Sequence, residues 1–323
     1  MWHAIGRSDD SAFFNAMMDL VTSARAALLL SAAFFPAGVA AAGHAPWLHG
    51  YLMTAGLIAF YHAVMYVQLP GFINAAPHRA ATWLLTALLL LGLLAQPRLG
   101  YAAYAPYALL HALLYLRGLW GKPTYYPNVI TVAGLLLLPL SRNHLEAAMS
   151  FPLASVYSLL YRVEFSRARR RFSASTALSI AALYVAAYLA AWAGHAWAFA
   201  LPSLALTLYA KPRVEDPYGA GAFFFRWAVA LTPAGAHLLY MAFAVIMSAL
   251  CVPYFVPSIL YRQAPSYGWE LVAAASAAYL LRNAGVLAAS AALVAALVLY
   301  AAVRSLRERY YPPTKTPERA ERG

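Results

Sequence analysis

The sequence predicts an all-α fold, a polytopic transmembrane helical bundle of about ten to twelve spans with both termini in the cytoplasm. Three observations lead there. Hydrophobic residues make up 63% of the 323 positions and charged residues only 11%, more apolar surface than a soluble domain of this size can bury. The long Ala/Leu runs at residues 80–94 and 284–303 lack the two-residue alternation of a barrel strand, so helices are the way to pair every backbone group in lipid. The charges are also placed asymmetrically. Arg162, Arg167, Arg169, Arg170 and Arg171 crowd one short segment and a basic tail follows Arg304, which puts both on the cytoplasmic side.

The elements follow in order. Residues 1–20 carry Asp9 and Asp10 and no basic n-region, so they read as an uncleaved N-terminal segment with an interfacial helix over residues 10–20. Residues 21–304 form a single transmembrane domain, and halves at 21–161 and 173–304 suggest an internal repeat. Residues 305–323 form a basic, disordered cytoplasmic tail. The first span covers residues 21–42, with Arg25 near its inner end. His44 and Pro46 lead into a second span that closes at Pro70–Phe72. Residues 80–96 form the third span, and Pro97–Gly100 turn the chain into a fourth at residues 101–120, which carries His111 and Arg117. A short fifth span ends near Ser141, and a sixth covers residues 145–161. Residues 173–194 and 195–210 make a hairpin with its turn at Gly194–His195. Residues 223–255 and 269–303 are each long for one span and short for two. Splitting them at Pro233–Gly235 and at Arg282–Asn283 gives the twelve-span layout; leaving them whole gives ten.

Charges in or near these spans, namely Arg25, Arg117, Glu164, Arg226, Glu270 and Arg282, fall mostly where helix ends belong and read as snorkelling to headgroups. Glu164 pairs with Arg162 and Arg167 in the basic loop. That loop and the lipid headgroups are partners; nucleic acid is not. The single cysteine, Cys251, excludes an internal disulfide and a cysteine metal cluster.

The histidines carry the functional signal, because an ionisable residue in a span is costly without a partner or a task. His49 opens the second span and is followed by Gly50 and, four residues on, Met53. Aligned on His237, the stretch PWLHGYLM lies over PAGAHLLYM, so Met53 falls on Met241. Pro46 and Pro233 precede the two histidines, and Pro70 and Pro257 close the two runs. In the twelve-span layout both helices start at the outer face and run inward, which puts the histidines at similar depth. In the ten-span layout the pairing fails. His44 and His195 belong to the same face, so four imidazoles there offer a copper or zinc site. His62 lies about 20 Å further along its helix than His49. His111, mid-span, shares a face with Tyr115. Each of these two is either a further metal ligand or a polar packing contact.

The segment L-H-G-Y-L-M…Q-L-P-G-F (residues 48–53 and 68–72) resembles the second helix of haem–copper oxidase catalytic subunits. It is similar as well to the His-led helices of the NnrS family, roughly twelve-pass haem- and copper-containing membrane proteins linked to nitric oxide stress and respiratory complexes. The resemblance implies a haem held by His49 and His237 as axial ligands with Met53 and Met241 beside them, or copper, and a respiratory or redox partner protein at the cell membrane. It departs from the oxidases where Leu239 replaces the second histidine of a His-x-His pair, and in lacking an adjacent His–His pair. Electron transfer or sensing is therefore implied, without oxygen reduction. The sequence shows no HExxH, GxSxG, phosphate-binding glycine loop or Asp-rich motif. A cofactor-free transporter or lipid-handling permease is the alternative, since Pro36, Pro106, Pro139, Pro202 and Pro253 interrupt spans as broken transporter helices do.

Overall fold

The computed structural model describes residues 10–67, 75–120, 124–167, 171, 173–211, 214–231 and 236–311. Among them there is no strand, only one isolated bridge between Arg262 and Tyr310. Five helical stretches, Ser11–Ala41, Pro46–Val67, Arg79–Trp120, Ala174–Trp192 and Leu287–Arg307, are long and apolar enough to cross a membrane. The burial pattern suits lipid as solvent. Leucines such as Leu29, Leu91 and Leu94 face outward, whereas Tyr66, Tyr104, Tyr107, Tyr115, Tyr157, Tyr184 and Tyr188 are fully or almost fully enclosed. The chain is a helical membrane protein.

Helix α1 (Asp10–Ala41) is one unbroken helix of 32 residues. Residues 10–20 continue straight into the first span, because nothing before Pro36 interrupts the backbone ladder. A tight turn, in which His44 and Ala45 N–H bond to the Ala41 carbonyl, leads to α2 (Pro46–Val67). Pro46 suits the first helical position, where no N–H is needed. Helices α1 and α2 then pack along their length.

Helix α3 (Arg79–Leu99) returns to α4 (Ala105–Arg117) through a 3-10 turn at Gly100–Tyr104. Gly100 sits at φ +62°, a conformation that favours glycine, and Tyr104 locks the turn by donating to Gln96 Oε1 at 2.7 Å. Next come α5 (Asn128–Leu137), α6 (His144–Met149) and α7 (Phe151–Arg167). The expected sixth span is thus broken at Ser150. The break frees carbonyls that Tyr184 of α8 (Ala174–Trp192) satisfies, donating to Met149 O and to Ser150 O. Helices α5 and α7 approach so closely that a Cβ on Gly134 would overlap Ala154 Cβ.

The second half holds α9 (Ala200–Ala210), α10 (Pro217–Leu231), α11 (Ala236–Ile246), a π turn at Met247–Cys251, α12 (Val252–Ile259), α13 (Trp269–Asn283) and α14 (Leu287–Arg307). The π turn precedes Pro253, which has no N–H to close the ladder. Both long apolar stretches are divided near the expected positions. Helix α10 ends at Leu231 and α11 begins at Ala236, with Pro233 outside the described residues. Helix α13 ends at Asn283, and Gly285 at φ +79° leads to α14. Helices α2 and α11–α12 run in the same direction: His49 meets His237, Thr54 meets Tyr240 and Phe60 meets Phe255.

Several charges depart from the snorkelling expectation, and Glu164 and Arg162 from that of an ion pair in a loop. Glu164 lies inside α7 and pairs with Arg226 of α10, whose Nη1 is 2.6 and 2.7 Å from the two carboxylate oxygens, and both side chains are buried. A helix dipping toward headgroups can shed its charge there, but a packed neighbour of opposite sign removes the need. Arg162 is likewise helical and stacks over Tyr125 at 4.3 Å. Arg25 donates to the Ile259 carbonyl at 2.9 Å and lies over Tyr261. Residues 168–170 of the basic segment and residues 312–323 of the tail lie outside the described residues.

Candidate functional site

Helix α2 carries two histidine clusters, one at its start and one about 20 Å along it. At the start, His49 Nδ1 is 2.8 Å from Gly38 O of α1. A carbonyl only accepts, so His49 holds its proton on Nδ1 and presents a lone pair on Nε2. His237, in the first turn of α11, lies opposite, with ring centres 5.9 Å apart and planes 17° from parallel. His144 opens α6, which packs against both α2 and α11. Its ring occupies the space that a side chain at residue 50 would need, for a Cβ on Gly50 would lie 2.6 Å from His144 Nε2. Tyr101 Oη holds its Nδ1 at 2.5 Å. Outside the long apolar helices, His144 is kept below the ordinary histidine range by burial and by the neighbouring His49, and it is neutral at pH 7.

The fit of a metal or haem iron follows from these contacts. Two imidazoles sharing one metal, each nitrogen about 2.0–2.1 Å from it, have ring centres roughly 5–6.5 Å apart, and 5.9 Å falls within that range. The two rings are stacked, however, and their lone pairs lie in the ring planes, so sharing a metal also requires the His237 ring to turn. The His49 tautomer also fits, because an outer hydrogen bond to a carbonyl is how ligating histidines are oriented. His237 carries a second obstacle. Arg282 Nη2 lies 2.8 Å from its Nδ1, and a guanidinium only donates, so the neutral ring has its proton on Nε2. Ligation by His237 requires that Arg282 bond to be displaced.

Deeper, His62 of α2 and His111 of α4 are fully buried with ring centres 5.7 Å apart. Their Nδ1 atoms share Tyr107 Oη, at 3.1 and 3.0 Å. An aromatic ladder links the clusters. Tyr101, Tyr104, Tyr107, His111 and Tyr115 touch in sequence, with ring centres 6.3, 6.5, 5.3 and 5.1 Å apart. Their spacing is three residues through the 3-10 turn and four through α4, so one face is kept as the helix type changes.

No known protein family, curated protein or solved structure matches this chain. Its site rests on geometry.

Of the residues expected at the site, His49 and His237 come together from distant parts of the chain. Met53 and Met241, one turn below them, turn elsewhere: Met53 Sδ packs on Gly38 of α1, and Met241 Sδ meets Ser290 of α14. His44 and His195 are exposed on their turns, with His195 beside Trp197. The expected four-imidazole cluster does not form, and among the described residues no three His, Cys, Asp or Glu side chains converge on an ion. Sequence reading missed His144, Arg282 as a partner of His237, and Tyr107. A signal for His144 was present in Asn143-x-x-Glu146, a helix-start pattern, and in the structure Asn143 Oδ1 indeed caps Glu146 N–H at 2.9 Å.

Proposed function

We propose that this protein is a multi-pass protein of the cell membrane that holds a haem or copper centre at its His49 end and serves electron transfer or sensing in respiratory or nitric oxide metabolism. The observation that supports the reading is the approach of His49 and His237, ring centres 5.9 Å apart, from two helices that run in parallel. His49 would bind through Nε2 with Gly38 O fixing its ring, and His237 would bind once its ring turns and Arg282 releases Nδ1. When bound, the group supplies a one-electron couple or a seat for a diatomic ligand. His144, held on Gly50, closes the third side of the site. A respiratory or redox protein would dock at this end of the bundle, and lipid would cover the leucine-rich flanks.

The test is direct. Protein purified from haem- and copper-replete cells should show a Soret band and pyridine haemochrome, or stoichiometric copper, and lose them in His49→Ala and in His237→Ala. A colourless, copper-free preparation overturns the reading. A cofactor-free transporter or permease is the second reading, favoured by the break at Ser150 and the π turn at Met247–Cys251, since transporters bind substrate at interrupted helices. It predicts substrate flux in liposomes that survives both substitutions.

A further inference from the structure

The buried cluster poses a proton-counting problem. Tyr107 Oη has one proton to donate, yet it bonds to the Nδ1 atoms of both His62 and His111. It must donate to one ring and accept from the other. The two neutral histidines are therefore opposite tautomers. The ring that donates to Tyr107 has a lone pair on Nε2, and the ring that accepts from it carries a proton there. Both Nε2 atoms are buried without a hydrogen-bond partner among the described residues, an arrangement costly for a packing role that phenylalanine fills without penalty. The same count disfavours a metal between them, because only one lone pair is on offer.

We infer that His62, Tyr107 and His111 form an intramembrane proton relay. A hydronium ion gives its proton to the lone-pair Nε2 of the first ring. That ring passes its Nδ1 proton to Tyr107 Oη, Tyr107 passes its own proton to Nδ1 of the second ring, and the second ring releases its Nε2 proton to water. Four bonds to hydrogen form and four break. One proton enters at one Nε2 and one leaves at the other, no charge stays behind, and both tautomers are reversed, so the next passage runs the other way or follows reorientation of the rings. Beside the cluster, joined to it by ring packing and not by a hydrogen bond, a pair of hydroxyls runs toward the start of α3. Tyr66 stacks on His62, its Oη is 3.0 Å from Thr82 Oγ1, and Thr82 Oγ1 donates to His78 O at 3.1 Å. The relay does not depend on a cofactor at His49.

Two measurements test it. In full-length protein labelled with 15N-histidine and held in lipid, His62 and His111, assigned through His62→Gln and His111→Gln, should appear as complementary neutral tautomers. Finding both with the proton on Nε2 overturns the relay. In proteoliposomes with a pH dye inside, a potassium diffusion potential set with valinomycin should drive proton uptake above that of empty vesicles. Tyr107→Phe, which keeps the ring, should slow uptake at least tenfold. Uptake equal to empty vesicles, or unchanged by Tyr107→Phe, overturns it as well.

Discussion

The two histidine clusters on α2 are built from the same side chain and solve opposite problems. At the His49 end, each imidazole is oriented by a group outside the cluster: a carbonyl for His49, a phenol for His144 and a guanidinium for His237. The carbonyl and the guanidinium set the His49 and His237 tautomers from behind, and His49 alone is thereby left with a lone pair on Nε2. Around His62, the orienting group is shared, so the two rings set each other through Tyr107. Outside anchors suit a site that must wait for a ligand. A shared anchor suits a site whose protons must move together.

Removing one ring from each cluster should separate these roles most sharply. His49→Ala is expected to lose more than about 90% of bound haem or copper while His62→Gln keeps it, read by absorbance and elemental analysis; equal losses would merge the two clusters into one site. Tyr107→Phe comes next. It leaves two buried imidazoles without their shared partner, so thermal or denaturant unfolding in detergent should show a loss of about 1–3 kcal/mol, with cofactor content unchanged. Gly50→Ala pushes against the His144 ring and should cost about 1–3 kcal/mol by overpacking, while Gly50 on the far side from His62 leaves proton uptake intact. The smallest effect belongs to Arg282→Gln. Weakening the donor that holds His237 Nδ1 should tighten copper or haem binding by roughly tenfold or less, about 1.4 kcal/mol at most, and looser binding would mean that Arg282 helps to build the site.

Much of the fold was legible because lipid imposes simple rules. Apolar runs marked α2, α3, α8 and α14, and Pro and Gly marked the divisions between α10 and α11 and between α13 and α14. The His49–His237 pairing was legible as a repeat, since two helices with the same pattern in the same orientation place equal positions at equal depth. Partnerships set by tertiary packing were not. Snorkelling is the sensible expectation for Arg226 or Arg282 considered on one helix, and a loop ion pair with Arg162 and Arg167 for Glu164; only the neighbour's position reveals that Arg226 faces Glu164 and Arg282 faces His237. Tyr107 was hidden for a different reason. The ladder on α4 changes from three-residue to four-residue spacing at the end of a 3-10 turn, so no single period picks out its face.

The buried Glu164–Arg226 pair also bears on how the protein is made. The carboxylate leaves the ribosome 62 residues before its arginine, about 3–12 s at roughly 5–20 residues per second. During that interval the carboxylate has Arg162 and Arg167 beside it in sequence, but not the buried guanidinium it meets in the folded bundle. The helix can settle fully only when α10 arrives, so the last assembly step of the first half is timed by the second. Fragments that stop before α10 should therefore be recognised by the cell's quality control as unfinished, and Glu164→Gln should release them from that dependence.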